Sequence, residues 1–210
     1  MSATRVLLAG KEDSLAAAQA VLADGGVIAF PTDTVYGIGV AVHSAAGIER
    51  LYAIKGRDAA KAIPVLAASF EDVAEIAETN AAAQKLAQVF WPGALTLVLP
   101  KRPGLPQQLS ALDTVGVRVP DHPVALALLA ALGPMAVTSA NVSGGADTST
   151  AAEVLEQLEG RVGLLLDGGR TPGSAPSTVV DLSGEQARIL RAGPISEAQI
   201  QAVLGGESLS

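Results

Sequence analysis

The densest run of potential ligand contacts in the chain follows the apolar segment 27–30. Two hydroxyls, a carboxylate and a phenol stand there within five positions, at Thr32, Asp33, Thr34 and Tyr36. The apolar segment predicts a short buried strand, and in α/β proteins the polar groups just past a strand end commonly contact ligands. A polar turn that leads into the next helix explains the same residues, so both interpretations stand. Gly37 and Gly39 then permit a close backbone approach or a positive φ.

A second candidate is a cluster of cations between positions 55 and 61, namely Lys55, Arg57 and Lys61. Cations near a helix C-terminus are stabilised by the helix dipole, which explains the cluster without any ligand. A phosphate clamp explains it equally well. Because the chain holds only 14 Lys and Arg residues, their clustering favours the clamp.

Arg118 stands inside the β-branched run 115–119, which predicts a strand. A guanidinium in such a run must find a partner, because burying an unpaired charge is costly. Arg118 could point to solvent from an edge strand. It could equally point into a cleft and bind a carboxylate through two parallel hydrogen bonds. The sequence leaves both open.

Three further groups of polar residues follow predicted strands. The segment 138–145 carries four hydrogen-bonding side chains and two glycines and leads into the small, polar stretch 146–150, which favours a mobile ligand loop over a simple helix cap. The segments 177–181 and 191–194 look like ordinary turns when each is taken alone.

Apolar periodicity and capping signals define the elements that must position these groups. Helices are predicted at residues 14–23, 45–55, 69–78, 80–90, 123–132, 150–159 and 196–205. Strands are predicted at residues 27–30, 63–67, 95–99, 115–119, 135–138, 162–166, 178–182 and 188–190. Because strands and helices do not alternate one for one, we expect one α/β domain with a mixed sheet.

Composition excludes several classes of function. The chain has no cysteine, so disulfides, thiolate catalysis and Cys-based zinc sites are excluded, and a reducing cytoplasm is expected. A net charge of −7 does not suit a strong sequence-independent grip on nucleic acid, and 3% aromatic residues do not suit a stacking platform. No apolar run is long enough to span a bilayer, and we expect no signal peptide. The phosphate-binding and nucleophile motifs of P-loop proteins, dinucleotide-binding folds and serine hydrolases are absent as well.

In their order along the chain, the polar segments resemble those of the YrdC-like family, the threonylcarbamoyl-AMP synthases. The matching segments are residues 31–37, 55–57, 91–93 with Thr96, 117–120, 139–144, 177–181 and 191–193. Seven segments in register make the resemblance specific. It implies a short, single-domain form with a YrdC-like domain over residues 14–198, terminal extensions at 1–13 and 205–210, and a twisted mixed sheet with a concave active-site face.

The resemblance also implies an activity, a set of substrates and a set of site residues. The implied enzyme is a cytoplasmic nucleotidyltransferase that forms threonylcarbamoyl-AMP and pyrophosphate from L-threonine, bicarbonate and ATP, with Mg²⁺ held by the ATP phosphates and no protein metal site. Its product serves tRNA modification beside the anticodon, through a downstream transferase. The implied threonine contacts are Thr34, Arg118, Ser139 and Ser177. The implied ATP contacts are Arg57, Lys61, Thr114, Asn141, Ser149 and Arg191, with Thr148 or Thr150 as alternatives to Ser149. Lys55 and Arg57 are the implied catalytic cations.

The chain departs from the family pattern at two positions. Asp58 follows the clamp arginine where many relatives have proline, and no histidine stands near Leu66. Two other functions stay open at this point. One is a related enzyme that forms a different carbamoyl or acyl adenylate, and the other is an RNA-binding module of the same fold.

Overall fold

One sheet of ten strands runs through the part of the chain that the computed structural model describes, which is residues 3–56, 62–173 and 175–206. The strands are β1 (Arg5–Leu8), β2 (Ile28–Pro31), β3 (Tyr36–Ala41), β4 (Val65–Leu66), β5 (Leu95–Pro100), β6 (Thr114–Arg118), β7 (Met135–Ser139), β8 (Leu164–Asp167), β9 (Thr178–Asp181) and β10 (Arg188–Arg191). Their order across the sheet is β1-β8-β2-β3-β7-β4-β6-β5-β9-β10. Parallel pairs such as β5–β9 alternate with antiparallel pairs such as β5–β6, so the predicted mixed sheet is confirmed.

Seven α-helices and one short 3-10 turn flank this sheet in the same residues. The helices are α1 (Glu12–Ala23), α2 (Ala45–Lys55), α3 (Phe70–Ile76), α4 (Ala81–Phe90), α5 (Pro123–Leu132), α6 (Ala151–Leu158) and α7 (Glu197–Gly205), and the 3-10 turn is Gln107–Leu109. The capping signals that placed helix starts in the sequence are confirmed at four positions, where a side chain accepts a hydrogen bond from a backbone N–H near the helix start: Ser69, Asn80, Thr150 and Ser196. Within the described ranges no helix combines the length and apolarity that a membrane span requires.

Two strands were not predicted from the sequence. β1 is an edge strand beside β8, although we expected residues 1–13 to precede the domain as an extension. β3 pairs with β2 and β7 in the segment interpreted as a turn with permissive glycines. Gly37 and Gly39 lie in this strand and neither has a positive φ. A Cβ at Gly37 would lie 2.8 Å from Val137 Cγ1, so glycine allows a close approach between β3 and β7.

The helices divide between two faces of the sheet. Helices α2, α3, α4, α6 and α7 contribute to a large apolar core with one set of strand side chains, whereas α1 and α5 pack against the other set. In β8, for example, Leu165 belongs to the first core while Leu164 and Leu166 belong to the second. Side chains of a strand alternate between the two faces of a sheet, which explains this division. On the second face, α1 and α5 cover mainly the half around β8, β2 and β7.

Candidate active site

A cavity of about 460 Å³ opens on the part of the sheet face that α1 and α5 leave uncovered. Strand β6 shows how the sequence builds its floor. Thr114, Gly116 and Arg118 point into the cavity, whereas the intervening Val115 and Val117 are buried in the large core. The two-residue period of the strand therefore explains how an arginine fits into a β-branched run. The wall also includes residues of β3, β4, β5, β7, β9 and β10.

Arg118 is buried, and its strand lies inside the sheet between β4 and β5. The edge-strand interpretation is therefore wrong. Arg118 lines the cavity, and its binding of a ligand carboxylate stays a prediction. Its Nη2 donates to Asp33 Oδ1 at 2.5 Å, and its Nε donates to the carbonyl oxygen of Gly93 at 2.9 Å. A guanidinium has more donors than these two contacts use, so Arg118 can bind a further acceptor in the cavity.

Arg191 faces the same cavity from β10 and is held by Ser177. Its Nε and Nη2 donate to the Ser177 carbonyl oxygen at 3.0 and 2.8 Å, and Nη2 also lies 3.1 Å from Ser177 Oγ. Ser177 Oγ in turn lies 2.8 Å from Thr96 Oγ1. Arg191 is exposed to solvent on part of its surface, and partial desolvation, together with the nearby charge of Arg118, lowers its pKa. The cavity therefore brings two cations close enough to repel each other, an arrangement that an anionic ligand stabilises.

Hydroxyl groups contribute further polar atoms to the wall. Thr34 is buried, and its Oγ1 lies 3.1 Å from Thr32 Oγ1. Ser139, at the end of β7, donates from Oγ to Asn141 Oδ1 at 2.6 Å. Six of the residues that the family resemblance implies are thus brought together in the cavity wall: Thr34, Thr114, Arg118, Ser139, Ser177 and Arg191.

Lys55 lies behind this wall, at the C-terminus of α2. Its buried Nζ donates to the backbone oxygen of Ser139 at 2.8 Å and to Asn141 Oδ1 at 2.7 Å. The Asn141 amide nitrogen donates to the Gly145 carbonyl oxygen at 2.7 Å, so both ends of this side chain have protein partners. In this geometry Lys55 and Asn141 shape the turn that carries Ser139, and they do not themselves line the cavity.

Ser149 also lies away from the cavity wall. Its backbone N–H donates to Glu153 Oε2 at 2.6 Å, a contact that, with other partners, lowers the pKa of the Glu153 carboxyl. Of its two neighbours, Thr150 caps α6 and Thr148 is fully buried, where its hydroxyl donates to the Ala140 carbonyl oxygen. These contacts fasten the C-terminal end of the expected ligand loop, whose mobility stays a prediction.

Arg57 and Lys61 fall outside the residues that the structure describes, as does Asp58. The phosphate clamp therefore remains a prediction for these two cations. The described chain resumes at Ala62, which lines the cavity, and Leu66 lines it as well. The departure from the family pattern at Leu66 thus falls on the site itself.

Tyr36, a member of the first polar cluster, is a structural residue in this geometry. Its hydroxyl donates to the Gly169 carbonyl oxygen at 2.7 Å and accepts from the Gly168 N–H at 3.1 Å. Burial raises its pKa to about 12, so it stays neutral at physiological pH. The phenol therefore fastens the loop after β8 to β3.

Several residues of the wall had no assigned role in the sequence interpretation. They include Leu112, Asp147 and Leu190, and among the described residues of the wall Asp147 is the one carboxylate. Thr96, which the family resemblance already marked, interrupts an apolar strand whose other face is Leu95, Leu97 and Leu99. Thr32, from the first polar cluster, lines the wall as well. Leu112 and Leu190 are exposed and carry no sequence signal that separates them from other surface leucines.

Comparisons with known proteins identify relatives of the chain. The family model Sua5/YciO/YrdC, described as "Telomere recombination", matches residues 20–193. The chain is 40% identical over 188 residues to a putative threonylcarbamoyl-AMP synthase of Mycobacterium tuberculosis, which covers 89% of this chain and 87% of that protein. It is 38% identical over 204 residues to the threonylcarbamoyl-AMP synthase of Bacillus subtilis, across 94% of this chain and 58% of that protein.

A solved structure is similar to the chain in both sequence and fold. The crystal structure of P. abyssi Sua5 complexed with L-threonine matches with a TM-score of 0.90 at 36% identity, over 97% of this chain and 61% of that one. The chain thus spans less than two thirds of the Bacillus and P. abyssi proteins and most of the mycobacterial one. The similarity confirms the predicted α/β architecture with its concave, cavity-bearing face.

Proposed function

The chain belongs to the Sua5/YciO/YrdC family, and on that basis we propose that it is an L-threonylcarbamoyladenylate synthase. In the proposed reaction the amine of L-threonine takes up carbon dioxide from bicarbonate as a carbamate. A carbamate oxygen then attacks the α-phosphorus of ATP, the bond to the β-phosphate oxygen breaks, and pyrophosphate leaves. Because AMP is transferred to the carbamate, the enzyme is a nucleotidyltransferase.

The observation that carries the proposal is the shared cavity of Arg118 and Arg191. Two arginines from separate strands face one space whose remaining polar wall is mostly hydroxyls. The proposed reaction needs to bring together two anions that repel each other and to stabilise charge that builds on phosphoryl oxygens. It needs no protein nucleophile, and the polar wall provides cations and hydrogen-bonding groups suited to this task.

For threonine we propose a subsite built from Thr34, Arg118, Ser139 and Ser177. Arg118 binds the α-carboxylate with donors that its protein contacts leave available, since guanidinium and carboxylate match in geometry. The hydroxyls of the other three residues form hydrogen bonds with the amine and the side-chain hydroxyl of threonine. All of these residues lie in the cavity wall. The P. abyssi Sua5 structure holds L-threonine, which supports an amino-acid subsite in this fold.

For ATP we propose contacts from Thr114 and Arg191 in the wall and from Arg57 and Lys61 in the phosphate clamp. Asn141 and Ser149 support this subsite through the loop that they hold, and Lys55 positions Ser139. Mg²⁺ held by the ATP phosphates would neutralise part of their charge. Among the described residues no three acids or histidines cluster as a metal site, and the hard oxygen donors suited to Mg²⁺ would be those of the phosphates, with Asp147 nearby in the wall.

In the proposal, a separate downstream transferase uses the product to modify tRNA, and this chain does not act on tRNA itself. The reaction ends at an adenylate, so no step requires nucleic acid, and a net charge of −7 opposes strong binding of a polyanion. The alternative of an RNA-binding module predicts the opposite, namely tight binding of tRNA without turnover.

Detection of the product by mass spectrometry tests the proposed function. We expect threonylcarbamoyl-AMP to form from ATP, Mg²⁺, L-threonine and ¹³C-bicarbonate, with the heavy carbon in the product. If the product does not contain ¹³C from bicarbonate, or forms only when carbamoyl phosphate is added, the chain would belong to the related-enzyme alternative.

A further inference from the structure

The two arginines of the cavity differ in how their charge is compensated. Arg118 forms an ion pair with Asp33 at 2.5 Å, and the side chains are 8% and 12% exposed. Arg191 has no carboxylate within 4.0 Å among the residues that the structure describes, and its contacts are to the neutral Ser177. One cation of the site is therefore neutralised by the protein and the other is not.

Asp33 holds Arg118 without entering the ligand space. It is absent from the described wall of the cavity, which includes its neighbours Thr32 and Thr34. The Gly93 carbonyl oxygen fixes the guanidinium at Nε while Asp33 fixes it at Nη2. Arg118 therefore presents its remaining donors to the cavity in one orientation, with a carboxylate close behind them.

The groups around Asp33, other than Arg118, do not cancel its negative charge. Burial lowers the pKa of His122, against the opposing charges of Asp33 and Asp121, so the imidazole is neutral at neutral pH. Arg118 is the one cation in an ion pair with Asp33 among the described residues. Asp147, on the exposed loop of the wall, adds negative charge to the cavity as well.

We propose that Asp33 is a positioning and specificity residue that reserves Arg118 for a net-neutral amino acid and excludes phosphate from that half of the cavity. The inference rests on the proposed function and extends it to a residue that does not touch the substrate. Free threonine is a zwitterion that brings its own ammonium, so before the amine is carboxylated its carboxylate can bind Arg118 without adding net charge beside Asp33. A phosphate brings only negative charge and is repelled by Asp33, whereas Arg191 receives it without opposition.

The test is binding of inorganic phosphate to Asp33→Asn, measured by calorimetry without threonine or nucleotide. We expect the affinity for phosphate to rise by at least about fivefold, the factor that one unpaired charge about 4 Å away gives even at the dielectric constant of water. In the synthase assay, phosphate should then inhibit competitively with threonine, and the KM for threonine should rise more than kcat falls. Asp33→Glu should keep the wild-type affinity for phosphate.

The matched control is Asp181→Asn, which changes the charge equally by breaking the pair between Asp181 and the exposed Arg188, outside the cavity. It should leave phosphate affinity unchanged. The double variant Asp33→Asn with Arg118→Gln removes both charges and should return phosphate affinity to the wild-type value. It leaves neither charge of the pair buried and unpaired, so it can still be measured if the single variant folds poorly. Equal phosphate affinity in wild type and a folded Asp33→Asn, or a gain that persists in the double variant, would overturn the proposal. Because phosphate binding needs no turnover, a failure of the synthase reaction would be seen separately.

Discussion

Arg118 combines two functions that make different demands on a side chain. It is a buried cation of an interior strand, and it is the proposed partner of the threonine carboxylate. Asp33 and the Gly93 carbonyl satisfy the structural demand, and the donors that remain serve the ligand. The geometry depends on the planar fork of the guanidinium, which an ammonium does not have.

We predict that Arg118→Ala weakens threonine binding by about 2–5 kcal/mol, the range for truncating one partner of a desolvated charge pair. Arg118→Lys keeps the charge but loses the fork, so it should also be impaired, with the KM for threonine rising more than the KM for ATP. Titration calorimetry with L-threonine gives the first value and steady-state kinetics the second. Arg188→Lys is the control, because Arg188 is exposed and its ion pair with Asp181 lies outside the cavity. Unchanged threonine affinity in a folded Arg118→Ala would refute this role.

At this scale the sequence predicts the element in which a residue lies better than the residues that its side chain contacts. The β-branched run around Arg118 predicts its strand, but the choice between solvent and cleft depends on the order of strands in the sheet. Asp33 lies 85 positions away along the chain, so nothing local marks it as the partner. Lys55 shows the same limit, because its contacts with Ser139 and Asn141 arise only when the C-terminal end of α2 lies near the end of β7 in the fold.

At the scale of elements, strong local signals predict helices and miss two strands. Caps and apolar periodicity place all seven helices, since both signals act within one or two turns. Strand β3 is hidden because Gly37 and Gly39 resemble turn residues, although they serve its contact with β7. Strand β1 is hidden because Val6 and Leu8 are exposed at an edge, which gives no pattern of burial.

Helix α5 carries a pH-dependent cap. His122 Nδ1 accepts from the Val124 N–H at the start of this helix, and burial lowers the pKa of His122 below its ordinary value of 6.5. Between these two values the unfolded chain binds a proton that the folded chain does not, so stability falls as the pH falls. We predict that the melting temperature decreases from about pH 7 to about pH 5.5 and that His122→Asn, whose amide can also cap, reduces this decrease.

Thermal unfolding at a series of pH values measures this effect. His43→Asn serves as the matched control because His43 is the other histidine of the chain and is exposed. The control should keep the wild-type decrease. A wild-type protein that becomes more stable on acidification over this range, or an equal decrease in His122→Asn, would contradict the assignment.

At the scale of the whole molecule, the site exists because the two faces of the sheet are covered unequally. Of the helices that the structure describes, five pack against one face, and α1 and α5 pack against the other. The open half gathers strand ends from distant parts of the chain, with Thr34 from the N-terminal third and Ser177 and Arg191 from near the C-terminus. This convergence explains why the segments 177–181 and 191–194 look like ordinary turns when each is taken alone.

Release of pyrophosphate tests the central claim most directly. Complete mixtures contain the protein, ATP, Mg²⁺, bicarbonate and L-threonine, without tRNA, and parallel mixtures omit one component each. We expect pyrophosphate from the complete mixture and a large loss when threonine or bicarbonate is omitted, because the carbamate that attacks ATP is made from both. Equal release without threonine, or release that begins only when tRNA is added, would contradict the assignment of this cavity to threonylcarbamoyl-AMP synthesis.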